Sequence, residues 1–221
     1  MAEGDIRAVL FDMDGVLIDS FAAWLRVMNK ALRFFSAVPA ALAPETYAAS
    51  WSQGAEQDVA TYFPGRSVGE VRAFYRQELR CHLAAIRVLP GAAETLRALR
   101  ARELRLACVT NTESDLAEEI LDRSGLLGAL SLVVGPDRGG GEKPSPTPLL
   151  WACEVLAVSP AHAVMVGDSE LDVAAARAAR MPVIGVAAQG TLAADVVVQT
   201  VAEVPGALWA LASGDRSDAR C

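Results

Sequence analysis

Hydrophobic and polar positions along this chain follow two different periods. The first apolar run, about 6–11, is short and continuous, and Asp12, Asp14 and Gly15 close it in "AVLFDMDGVLIDS". Such a run predicts a buried strand followed by a tight turn. From about 20 to 36, Phe21, Trp24, Leu25, Met28, Leu32 and Phe35 recur at helical spacing, and Pro39 and Pro44 then break the pattern. A second helical stretch covers roughly 45–63, interrupted near Gly54. "FPGRS" at 63–67 is a turn, and 68–86 reads as a third helix. Nothing between 20 and 86 reads as a strand, and "LPG" at 89–91 punctuates the end of this block.

Beyond it the period alternates. Helices are predicted over 91–102, 113–124, 147–157 and 169–180, with Gly125 as a candidate helix stop. Strands are predicted over 104–110, 130–134, 163–168, 182–186 and 195–200. "GPDRGGGEKPSPTP" forms a long glycine- and proline-rich loop, and the polar ends, 1–5 and "SGDRSDARC", are expected to fray. Strand–helix alternation predicts an α/β fold with a doubly wound, mostly parallel Rossmann-like sheet. The all-helical block predicts an inserted cap at 20–86 on a core made of 1–19 and 87–221.

Composition narrows the classes. The 221 residues suffice for one α/β domain with a small insert. The 52% apolar and 21% charged content is that of a soluble globular protein. A net charge of -7 argues against non-specific nucleic-acid binding. Cys81, Cys108, Cys153 and Cys221 are scattered, with neither metal-ligand spacing nor a disulfide framework, so a reducing cytoplasm is expected. The sequence offers no apolar run suited to a signal peptide or a bilayer span, so no membrane partner is expected. The chain is expected to be a monomer or homodimer.

The predicted strand ends carry the candidate chemistry. Asp12 and Asp14, two residues apart just past the first strand, repel each other unless a cation or shared proton relieves them. They lie where open α/β sheets bind ligands, and a hard cation such as Mg²⁺ suits such oxygens. The same residues also read as an acidic turn capping the next helix. "VTNT" places the Thr110 hydroxyl and the Asn111 amide at a second strand end, where a helix starting near Thr112 or Glu113 would offer free N–H groups to phosphate; Thr110 also reads as a simple cap. Lys143, one of only two lysines with Lys30, sits in a loop stiffened by Pro144 and Pro146. It reads as a fixed charge for phosphate or as a surface lysine. Asp168 ends another strand and Asp172 follows four residues later, reading as metal ligands, helix-start acids, or both. Each cluster alone is ambiguous, but at one sheet edge the four can converge.

The order "DMDGVLIDS", "VTNT", "GEKPSP", "GDSELD" resembles the four motifs of the haloacid dehalogenase-like hydrolase superfamily, over roughly 6–190. The helical insert resembles the small cap of its phosphoglycolate phosphatase and β-phosphoglucomutase branch. The resemblance implies a Mg²⁺-dependent phosphatase acting on a small phosphorylated metabolite. It implies Asp12 as nucleophile forming an aspartyl-phosphate, and Asp14 as acid and then base. It implies Thr110 and Lys143 on the phosphoryl oxygens. Mg²⁺ would be held by Asp12, the Asp14 backbone carbonyl and Asp168, with Asp172 in support. In the cap, Gln53 and Gly54 are expected to meet the substrate along with Asn111, and Trp51, Lys30 and Arg33 are further candidates, whereas His82 and His162 are expected to be structural. A sugar-phosphate mutase and a non-catalytic phosphometabolite-binding protein are the alternatives. Trp24 argues against the mutase, which commonly carries a histidine twelve residues after its nucleophile; Asp14 argues against phosphonate cleavage and dehalogenation. Arg180 stands where the family often has glycine, which predicts a different closure of that helix.

Overall fold

A computed structural model describes residues 6–35, 41–51, 53–187 and 192–213. The elements run in the order β1 (Ala8–Phe11), β2 (Ile18–Asp19), α1 (Phe21–Phe35), α2 (Pro44–Ala48), α3 (Ala55–Tyr62), α4 (Val68–Arg80) and β3 (Arg87–Val88). Then follow α5 (Ala92–Arg100), β4 (Arg105–Val109), α6 (Ser114–Arg123), β5 (Leu132–Val134) and α7 (Pro136–Gly139). The chain closes with α8 (Thr147–Val155), β6 (Ala163–Gly167), α9 (Glu170–Ala178), β7 (Val183–Val186), β8 (Val196–Val198) and α10 (Val204–Ser213). The polar ends at 1–5 and 214–221 lie outside the described residues.

Six strands form one sheet in the order β5-β4-β1-β6-β7-β8, and every neighbouring pair is parallel. Along β1 the side chains alternate between two cores: Val9 and Phe11 join one, Ala8 and Leu10 the other. That is the period of two expected when both faces of a parallel strand are covered by helices. Each fully buried Leu or Phe contributes roughly 1.5–3 kcal/mol, so β1 is strongly pinned. From β1 the chain winds first toward β4 and β5, then toward β6, β7 and β8. This reversal puts the end of β1 at the switch point of the sheet, the place where ligands bind in such folds.

Between 21 and 85 every regular element among the described residues is a helix, as expected, and these helices sit between the arms of a small antiparallel ribbon that pairs Ile18 with Val88 and Asp19 with Arg87. Two residues per strand is too short a signal to read from periodicity. Within the block, Val27, Met28 and Ala31 of α1 and Val71, Tyr75 and Leu79 of α4 are buried as the two helices pack together. The helical stretch expected over 45–63 with an interruption near Gly54 is the pair α2 and α3. Gly54 separates them: it precedes α3 with φ +88, and a Cβ there would overlap the Glu142 carboxylate. The glycine-rich loop contains the short α7, and α10 was not predicted from the sequence at all.

Candidate active site

The C-terminal ends of β1, β4 and β6 bring the four clusters together. Met13 N–H donates to Asp12 Oδ1 at 2.7 Å, which orients the carboxylate from its own turn. Gly15, at φ +79, lets Asp168 approach: a Cβ on residue 15 would occupy the space of that carboxylate. Lys143 is buried, with Nζ 2.8 Å from Asp12 Oδ1 and 2.6 Å from Asp172 Oδ1. Burial pulls the ammonium pKa down, but Asp12 and Asp172 more than offset this and hold it above its ordinary value. Lys143 is therefore a permanent charge, clamped between two carboxylates.

Asn111 explains how the loop is held. Its Nδ2 donates to the Lys143 carbonyl at 3.1 Å and its Oδ1 accepts the Lys143 N–H at 2.8 Å. Both ends of the amide thus act on the backbone of residue 143, so Asn111 positions the lysine as well as lining the cavity above it. Thr110 is buried and accepts the Thr112 N–H at 3.1 Å, which leaves its O–H as a donor. The helix starts where expected, with Glu113 as its N-cap, but its first N–H is not free: Ser114 N–H and hydroxyl both donate to Asp137 Oδ1 at 2.8 Å. Burial raises the Asp137 pKa, and these Ser114 bonds outweigh it, holding the carboxylate below its usual range.

The acids divide into two groups. Burial pushes Asp12 well above the ordinary carboxylate range; Lys143 opposes this, and Asp172, Asp168 and Asp14 add to it. Asp168 is raised to about 7, by burial and then by Asp172. One oxygen each from Asp12, Asp168 and Asp172 falls within 4.8 Å of the others. Their free valences differ. Asp12 Oδ2 and Asp168 Oδ1 are buried with no hydrogen-bond partner. Both oxygens of Asp172 are engaged: Oδ1 by Lys143, Oδ2 by Ser169 N–H at 3.1 Å and Ser169 Oγ at 2.6 Å. Two unpartnered buried carboxylate oxygens fit a hard cation such as Mg²⁺. Asp172 completes this acid cluster while fixing Lys143 and closing the capping box of α9 with Ser169.

Asp14 faces the other way. It accepts a hydrogen bond from the Ser20 hydroxyl. Burial raises its pKa, against opposing contributions from Ser20, Lys143 and Trp24. A carboxyl biased toward its protonated form is suited to donate a proton. Asp14 and Trp24 line a cavity of about 60 Å³ between the helical block and the sheet, with Gln53, Asp58, Arg72 and Tyr75 on the cap side and Asn111 on the core side.

A family model described as haloacid dehalogenase-like hydrolase matches residues 6–180. The chain belongs to the haloacid dehalogenase-like hydrolase family. A phosphoglycolate phosphatase of Chromobacterium violaceum is 37% identical over 212 residues, covering 90% of this chain and 95% of that protein. A plasmid phosphoglycolate phosphatase of Cupriavidus necator is 35% identical, covering 91% and 92%. The crystal structure of a predicted phosphoglycolate phosphatase from Haemophilus somnus 129pt superposes with a TM-score of 0.79 at 24% identity, over 94% of this chain and all of that one. A HAD family hydrolase from Deinococcus radiodurans R1, solved with bound phosphate and sodium, superposes with a TM-score of 0.68 at 26% identity, over 96% and 98%.

Among the cap candidates, Trp51, Gln53 and Gly54 line the cavity. Gln53 donates to Asp58 Oδ1 at 2.7 Å. Lys30 pairs with Glu78 at 2.5 Å on an exposed surface, and Arg33 is exposed. His82 pairs with Glu78 and lies outside the acid cluster. Arg72, Asp58 and Glu142 were not picked out from the sequence. Arg72, Arg76 and Arg80 follow at intervals of four along α4, a spacing that reads as a solvated face until a second surface is laid against it. No helix among the described residues is long and apolar enough to cross a membrane.

Proposed function

We propose that this chain is a Mg²⁺-dependent phosphatase that hydrolyses a small phosphate monoester through an aspartyl-phosphate on Asp12. The observation that carries the proposal is the pair of unpartnered oxygens on Asp12 and Asp168 set against a permanently charged Lys143. Asp12 and Asp168 would hold the cation, with the Asp14 backbone carbonyl as the family resemblance implies. When bound, the ion neutralises negative charge between the carboxylates and the phosphoryl oxygens.

In the first half-reaction an Asp12 oxygen forms a bond to phosphorus as the ester P–O bond breaks. Asp14 gives its proton to the departing alkoxide, and the product alcohol leaves. In the second half, Asp14, now ionised, takes a proton from water. The water oxygen bonds to phosphorus, the Asp12–phosphorus bond breaks, and phosphate is released. Lys143 and the Thr110 hydroxyl donate to the phosphoryl oxygens as charge shifts among them. Asn111 and Asp172 keep Lys143 in place throughout.

The names of the relatives support 2-phosphoglycolate as the first substrate to try. The test is phosphate release from a panel of phosphorylated metabolites, with and without Mg²⁺. The expected outcome is Mg²⁺-dependent release that Asp12→Asn reduces by several orders of magnitude while circular dichroism shows an unchanged fold. Substantial turnover in that variant would remove Asp12 from the role of nucleophile.

A further inference from the structure

The cavity wall can be sorted by which of its hydrogen-bonding groups are already used. Asp58 spends Oδ1 on Gln53 and Oδ2 on the Tyr75 hydroxyl, at 2.7 and 2.9 Å. Glu113 accepts from Arg76 Nε at 2.8 Å. Glu142, nearly enclosed at 5% side-chain exposure, spends Oε1 on Arg72 Nη2 at 2.6 Å and Oε2 on the Glu56 N–H at 3.2 Å. Among the described residues lining the cavity, no buried side-chain acceptor lacks a partner, and one buried donor does: Arg72 Nε. An arginine donor buried without an acceptor is costly, and a matching ligand atom relieves that cost.

We infer that Arg72 is the residue that reads the substrate's leaving group, donating through Nε to a carboxylate oxygen carried at the end opposite the phosphoryl group. This rests on the phosphatase reading and names the substrate class within it. Among the enclosed side-chain atoms of the described residues on this wall no acceptor is unused, whereas the Arg72 guanidinium, whose Nη2 meets Glu142 at 2.6 Å and Glu56 at 3.4 Å, keeps its Nε N–H unpaired. The geometry also limits length. Glu142, which holds the guanidinium, directly precedes Lys143 in the chain, so one loop carries both the latch on Arg72 and the phosphoryl-binding ammonium. The cavity that Arg72 lines with Asp14 is about 60 Å³, which leaves room for only a few heavy atoms. Gly54 keeps the arrangement tight, because any side chain there would displace Glu142 and with it Arg72.

The experiment compares two esters of similar size in the full-length protein with Mg²⁺. These are 2-phosphoglycolate and 2-hydroxyethyl phosphate, which replaces the carboxylate by a neutral CH₂OH. The wild type is expected to favour 2-phosphoglycolate by at least tenfold in kcat/KM. Arg72→Met is expected to cut that preference by roughly 10- to 100-fold, mainly through KM, the range of a hydrogen bond to a charged group. Arg72→Lys keeps the charge without the fixed fork and should restore only part of the preference. If Arg72 merely latches the helical block to the core, Arg72→Met and Glu142→Gln will lower both substrates by the same factor; an unchanged preference overturns the inference. Calorimetric binding of the two esters to Asp12→Asn gives a readout independent of turnover. Equal affinity for both esters there overturns the carboxylate assignment even if Mg²⁺-dependent phosphatase activity stands. Absence of turnover in the wild type with selective, Arg72-dependent binding of 2-phosphoglycolate would sink the phosphatase reading and leave the carboxylate site in place.

Discussion

At the scale of single residues, the site concentrates carboxyl groups in places where burial opposes their charge. Asp58 shows this away from the proposed cation: burial raises its pKa to about 6, against hydrogen bonds from Gln53 and Tyr75. Between an unfolded value near 4 and the folded value near 6, the folded chain holds more protons than the unfolded one, so Asp58 lowers stability as pH rises through that window. Asp58→Asn removes the titration. Relative to the wild type, the variant should gain up to roughly 3 kcal/mol between pH 4 and pH 7, measured as the pH dependence of the difference in denaturant midpoint; a flat difference would contradict the raised pKa. Asp12, Asp14, Thr110, Lys143, Asp168 and Asp172 were legible in the sequence because each follows a recognisable strand or a stiff loop. The division of labour among them was not. Sequence spacing groups Asp168 with Asp172, but only the fold shows Asp172 with both oxygens engaged and Asp168 with one free. Asn111 was expected on the substrate, and the fold also spends its amide on the backbone of Lys143.

At the scale of elements, helix ends decide where these groups stand. The end of α9 departs from the expectation set by Arg180. Instead of closing differently, it forms the closure that glycine usually makes. Arg180 sits at φ +55, with Arg180 N–H bonded to the Arg177 carbonyl and Met181 N–H to the Ala176 carbonyl. The left-handed conformation disfavours an arginine by about 1–2 kcal/mol, and the Arg180 side chain is exposed, so little is lost on removing it. Arg180→Gly should therefore stabilise the protein by about 1 kcal/mol, less the added flexibility of glycine in the unfolded chain. A thermal melt should rise by a few degrees, and a fall would show that the Arg180 side chain makes a contribution of its own. The long helices and core strands were readable because their apolar period persists over several residues. The β2–β3 ribbon and α7 were not, because two to four residues carry no period, and their existence depends on partners distant in sequence.

At the scale of the whole molecule, the helical block and the core are joined above the site by charges. Arg76 meets Glu113 and Asp115, Arg80 meets Asp115 and Glu119, and Arg72 meets Glu142. The outer pairs are largely exposed and individually weak; the buried acids beneath them dominate the response to pH. Without a cation, Asp12, Asp14 and Asp168, all raised, make the folded state lose stability as pH rises above the ordinary carboxylate range, for Asp168 up to about 7. A divalent cation favours their ionised forms and competes with protons, so it acts in the opposite sense. Millimolar Mg²⁺ should raise the melting temperature by several degrees at pH 8 and by clearly less at pH 6. Asp168→Asn should abolish most of the shift. A shift equal at both pH values would place the cation elsewhere.

What the sequence determined by itself is local and repetitive: the strand that buries four residues and then turns, the alternation that builds a parallel sheet, and the motif order that belongs to the family. These follow from periodicity and from residues adjacent in the chain, so they survive without coordinates. What the tertiary structure alone decided is pairing. Which carboxylate oxygens are free, which arginine of α4 keeps an unpaired Nε, and which helix start is already capped are all matters of distance between segments roughly 20 to 130 residues apart. Hydrogen-bond valence is satisfied in space, and a one-dimensional pattern carries no record of which groups meet.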